Sequence, residues 1–207
     1  MGKLSFNWVR ILLFLAVFLG FSGCTDTKVI VRFNNATSGT LSGEYTVSWE
    51  VLGLENGNSG FKAPLPTTQA GWGAVTGTVN TLVLENFTSE ESPDGLYCRV
   101  SLRFPNLRAL EGLFVSLGHK LTVLENSGVY TWAFTPQAVD VTPWPEDLKT
   151  LVLGRFGDKT IQFEVFPFRE IRSTSDGVIT QDRKSIIYIK TLRTYLAQSN
   201  QEWRLIW

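Results

Sequence analysis

Residues 95–118 read GLYCRVSLRFPNLRALEGLFVSLG. The first half alternates. Leu96, Cys98, Val100, Leu102 and Phe104 fall on one face, and Tyr97, Arg99, Ser101 and Arg103 on the other. A period of two is a strand with one face buried. After Pro105 the period changes. Leu107, Leu110, Leu113, Phe114 and Leu117 make the continuous apolar stripe of an amphipathic helix. Asn106 suits the N-cap and Gly118 the C-terminal stop. A half-buried strand that runs into a helix, with more strands on both sides, predicts an α+β chain.

Working toward the N-terminus, Gly95 closes a turn, Ser92-Pro93-Asp94-Gly95, that joins this strand to another over 81–87. An earlier hairpin pairs residues 29–33 with a strand in which Tyr45, Val47, Trp49 and Val51 alternate with Thr46, Ser48 and Glu50; the turn chemistry is NNATSGT at 34–40. Residues 53–77 are rich in Gly, Asn, Pro and Thr and predict a long loop with at most a short helix. Toward the C-terminus, strands over 120–125 and 129–134 flank Asn126-Ser127-Gly128. A second helix starts near Pro143 or Pro145, carrying Leu148, Leu151, Val152 and Phe156. Strands over 159–166 and 184–192, a turn at Ser175-Asp176-Gly177, and a closing Trp203, Leu205, Trp207 pattern complete the chain. The expected architecture is one α+β domain over 29–207, an antiparallel sheet of hairpins with two amphipathic helices on one face.

Composition narrows the function. Of 207 residues, 19 are basic and 19 acidic, and 43% are apolar. That is a globular chain with no cationic surplus for nucleic acid. One His and two Cys leave little for a metal cluster or a disulfide framework. No cofactor is expected.

Residues 1–24, MGKLSFNWVRILLFLAVFLGFSGC, have a basic n-region, Lys3 and Arg10, and an apolar run over 11–21. That run is shorter than the ~20 residues of a membrane span, so it reads as an export signal. Ser22-Gly23-Cys24 resembles a bacterial lipobox, with Phe21 in place of the usual Leu. The expectation is a signal peptide over 1–23, acyl chains on Cys24, and a lipidated tether over 24–28. Thr25, rather than Asp, points to an outer membrane where the cell has one. The localisation is then the cell envelope.

Cys98 is one candidate nucleophile and His119 its only candidate base, but no motif frames either. On its apolar strand face Cys98 reads as a buried, inert thiol. His119, just past a helix end, reads as a surface or capping residue. The pairs Glu90-Glu91 and Glu146-Asp147 sit in a turn and at a helix start, where carboxylates serve structure. Trp72 and Trp144 lie in Gly- or Pro-rich loops, where tryptophan anchors lipid, sugar or protein ligands; the alternative is burial over a core edge. An inward Trp72 would mark a lid over an apolar cavity, and an outward one a docking loop.

Several stretches in order resemble the LppM-like family of bacterial lipoproteins. They are VIVRFNN at 29–35, SGT at 38–40, YTVS at 45–48, FGD at 156–158, IQFEVFP at 161–167, SDG at 175–177 and the strand over 185–189. Phe168 departs from the Pro-Gly that ends the family's strand. The resemblance implies a membrane-tethered α+β domain without known catalysis and with affinity for envelope lipids or glycolipids. No catalytic residue carries over. The function expected is non-enzymatic binding of a lipid or glycolipid, with a structural or assembly role through an envelope protein partner as the alternative.

Overall fold

The computed structural model describes residues 24–56, 65–136, 146–197 and 202–207. The export signal expected at 1–23, and Trp144, lie outside them.

Two sheets carry the fold. The large one has seven strands in the order β3-β4-β2-β1-β7-β10-β9. These are β1 (Cys24–Phe33), β2 (Gly39–Ser48), β3 (Val83–Ser92), β4 (Gly95–Phe104), β7 (Thr160–Phe166), β9 (Val178–Ile179) and β10 (Ile186–Thr191). The small sheet has the order β5-β6-β11-β8, from β5 (Lys120–Asn126), β6 (Val129–Thr135), β8 (Ser173–Thr174) and β11 (Trp203–Ile206). Five helices are described: α1 (Trp49–Asn56), α2 (Gln69–Thr78), α3 (Leu107–Ser116), α4 (Glu146–Phe156) and α5 (Leu192–Ala197). None is long and apolar enough to cross a membrane.

The hairpins expected from turn chemistry are present. Asn35 Oδ1 accepts from the backbone N–H of Thr37 (2.9 Å) and Ser38 (3.0 Å) and so shapes the β1–β2 turn. Ser127 and Gly128 both have positive φ, 52° and 78°, the twisted two-residue turn that suits β5–β6. The α+β class holds, but the single antiparallel sheet does not. β1 and β7 run parallel, with Val29 opposite Phe163, and β11 joins the second sheet through Leu205 opposite Trp132. The two expected helices pack on different elements: α3 on β4, β5 and α2, and α4 on α5. Pairing partners distant in sequence are chosen by how faces close over a core, and local periodicity does not encode that.

The core is where the sheets meet, and it is aromatic. Phe33 of β1 lies edge-on to Trp132 at 6.2 Å. Phe163 of β7 meets Phe134 at 4.9 Å and Trp203 at 5.4 Å, and Tyr188 of β10 stacks on Trp203 at 4.9 Å. Phe114 of α3 reaches the same cluster, 5.3 Å from Phe134. Edge-to-face pairs of this kind add about 0.5–1.5 kcal/mol each beyond the area they bury.

Three further expectations change. The presumed tether is structured: β1 begins at Cys24, which pairs with Val47. The β2 strand stops at Ser48 rather than Val51, because Ser48 Oγ accepts from Val51 N–H and the chain turns into α1. Trp49 therefore leaves the core and is 43% exposed. Within the expected loop at 53–77, α1 ends and α2 forms.

Candidate functional site: an apolar cleft beneath Trp72

The strand–helix stretch builds one wall of the site. Asn106 caps α3, its Oδ1 accepting from Ala109 N–H at 2.9 Å. At the other end Gly118 takes φ +84°. Its N–H bonds to the Val115 carbonyl (3.0 Å), and that of His119 to the Phe114 carbonyl (2.8 Å). This is a Schellman stop, in which the residue after the glycine folds back against the helix's last apolar turn. His119 is thereby carried inward, 7% exposed, with its ring 5.7 Å from Phe134. Burial pushes the imidazole down to about 4, so it is neutral at pH 7. Of the two sequence readings of His119, surface or capping residue, the surface one is corrected on this ground.

The floor is the inner face of the large sheet. Val29 of β1, Leu41 and Gly43 of β2, Val100 of β4 and Phe163 of β7 line it. Gly43 leaves a dent: a Cβ there would stand 3.0 Å from Val100 Cγ1. Phe114, Leu117 and His119 close one side.

Leu65 and Trp72 form the roof. Trp72 is 2% exposed, and its indole N–H donates to the Tyr45 hydroxyl at 2.9 Å. The Tyr45 hydroxyl in turn donates to the Pro66 carbonyl. This chain fastens α2 to β2. The helix also packs on β3 and α3; Trp72 is its buried residue, and Gly73 and Gly77 face open space. Each glycine costs a helix interior about 1 kcal/mol against alanine. Thr68 offsets part of that by capping, its Oγ1 accepting from Gly71 N–H at 3.0 Å. The enclosed space is about 50 Å3. Ligand sites usually span about 300–1,000 Å3.

Cys98 is fully buried on β4 opposite Tyr45. Desolvation raises its thiol to about 11. Among the described residues no group of three or more His, Cys, Asp or Glu side chains is placed to hold a metal. Glu90 lies on β3, in an exposed ion pair with Arg99 at 3.4 Å, and Glu146 and Asp147 open α4. Of the candidate residues, Trp72 and His119 come together at one cleft, and Cys24 starts β1 well apart in sequence from that roof. Tyr45 was missed as a site residue. The clue was its place on the same strand face as Val47, where a phenol must find a partner.

No family model matches the chain, and no curated protein matches it. Among solved structures, the NMR structure of the folded domain of Mycobacterium tuberculosis LppM is similar with a TM-score of 0.48 and 10% identity, covering 88% of each chain. At that level of likeness nothing about the site transfers from one chain to the other.

Proposed function

We propose that the chain is the binding domain of an envelope lipoprotein, non-enzymatic, held to a membrane by acyl chains on Cys24, and that the cleft beneath Trp72 takes the apolar part of a lipid or glycolipid. The observation that carries this reading is the inward Trp72. It roofs an apolar floor from a helix that carries two glycines facing open space. In the closed state about 50 Å3 is too small for an acyl chain. Binding therefore requires α2 to lift, with the Tyr45–Trp72 hydrogen bond broken and its apolar contacts replaced by the ligand's. The neutral His119 and the protonated Cys98 thiol suit an apolar lining better than acid–base or nucleophilic chemistry.

The test is calorimetric titration of the folded domain with a single-chain phospholipid below its micelle concentration. Saturable one-to-one uptake is expected, weakened by Leu65→Asp at the roof. No uptake at any concentration refutes the reading. The small closed volume favours a second one, an assembly lipoprotein with a filled core that works through protein contacts. Crosslinking in intact envelopes tests it, and recovery of no specific partner counts against it.

A further inference from the structure

We infer that the Cys24 end of the large sheet is a membrane-contact surface, seated on the bilayer that holds the anchor, with the Trp49 ring in the headgroup region. This rests on acylation of Cys24, as proposed above. The chain at the anchor has little slack. Cys24 pairs with Val47 and Thr25 with Thr46. On the opposite side Thr27 pairs with Ile161 of β7. Asp26 Oδ1 accepts from both the N–H and the hydroxyl of Thr160, at 3.0 Å each. The chain is held by β2 at Cys24 and Thr25, by Asp26 on Thr160 across a bulge, and by β7 from Thr27, so the domain has no tether on which to stand away from the lipid.

Trp49 follows the anchor's partner Val47 by two residues, where β2 ends and the chain turns into α1. It is the one aromatic among the described large apolar side chains that are exposed. Its indole N–H donates to the Ser92 carbonyl at 3.2 Å, so the polar edge is satisfied within the protein and the ring is held at the surface. An amphipathic ring at a fixed height is what the interfacial zone of a bilayer favours.

Arg155 pairs with Glu50, Lys159 with Asp26 (3.7 Å) and Arg193 with Asp158 (3.4 Å). Each of these cations at or near this end has a carboxylate beside it. Glu91 and Asp94, exposed in and beside the β3–β4 turn, add negative charge at this end, so the surface has no cationic excess to call for anionic lipid and meets a zwitterionic headgroup layer.

The experiment uses the full acylated chain in phosphatidylcholine vesicles whose acyl chains are brominated near the headgroup. Wild-type tryptophan emission should be quenched, and Trp49→Phe should remove at least half of that quenching. Nitroxide labels on Asp94→Cys, in the β3–β4 turn at the same end, and on Thr37→Cys, about 30 Å away along the strands, give a second reading. The first should favour oxygen collisions over a water-soluble nickel chelate, and the second the reverse. Equal quenching of wild type and Trp49→Phe, with both labels water-like, overturns the orientation. The intact mass separates the two failures: an unacylated Cys24 overturns the anchor itself, whereas an acylated chain with a water-exposed end overturns only the orientation.

Discussion

Replacing His119 with leucine should abolish most of the acid sensitivity of this fold between pH 7.5 and 5. In the unfolded chain the imidazole titrates near its ordinary value of 6.5, and burial in the fold pushes it down to about 4. Between those values the unfolded chain binds a proton that the folded chain refuses. Stability is complete above 6.5 and falls as pH drops toward 4. At about 1.4 kcal/mol per pKa unit, the step from pH 7.5 to 5 removes about 2 kcal/mol. With a urea slope of about 2 kcal/mol/M, the midpoint should fall by about 1 M. The window is clean, since His119 is the chain's single histidine. Lys190 beside Asp176 and Thr180 beside Asp182 hold those carboxyls below 3.8, so their loss comes at lower pH. Urea unfolding of wild type and His119→Leu at the two pH values decides the matter. A wild-type midpoint that does not move, or a variant that keeps the full shift, would refute the inward placement of His119.

Other substitutions probe the roof and the sheet. Gly73→Ala and Gly77→Ala add a Cβ that meets nothing within 4 Å. Each should steady α2 by about 0.5–1 kcal/mol; slower amide exchange in 69–78 is the expected readout, and unchanged exchange would argue that α2 is already rigid. Cys98, raised to about 11 by burial, should resist an aromatic disulfide reagent at pH 8 and react fully in denaturant; rapid native labelling would contradict its burial. Gly95 holds φ +150°, and a Cβ there would stand 2.1 Å from the Val47 carbonyl oxygen. Gly95→Ala should therefore cost about 2 kcal/mol or more, read as a lowered thermal midpoint, and an unchanged midpoint would mean the hairpin relaxes freely.

What the sequence disclosed was local. The change of period at Pro105 located β4 and α3, because face alternation and helical stripes are written within a dozen residues. Asn106 and Gly118 marked the ends of α3 for the same reason. The partnership of β1 with β7 was not legible. It closes a crossover of more than a hundred residues, and nothing local in VIVRF or IQFEVF names the other. The helix α2 was legible only as a short helix within a loop, because its glycines weaken the signal. Its propensity points to a loop, and packing on β3 and α3 with Trp72 fastened to Tyr45 overrides that. His119 misled in the opposite way. A cation is favoured beyond a helix end in water, but the Schellman turn aims that position at the core. The three-residue difference at the end of β2 moved Trp49 from the expected core to the surface.

The central claim is that the cleft beneath Trp72 opens to hold an envelope amphiphile. Its most direct test is native mass spectrometry of the chain from residue 25 onward, exported without its anchor from a lipid-replete cell, with solvent extraction of the same sample. The account expects a stoichiometric lipid or glycolipid adduct that Leu65→Asp reduces several-fold. A clean apo mass, with no lipid in the extract, would contradict it.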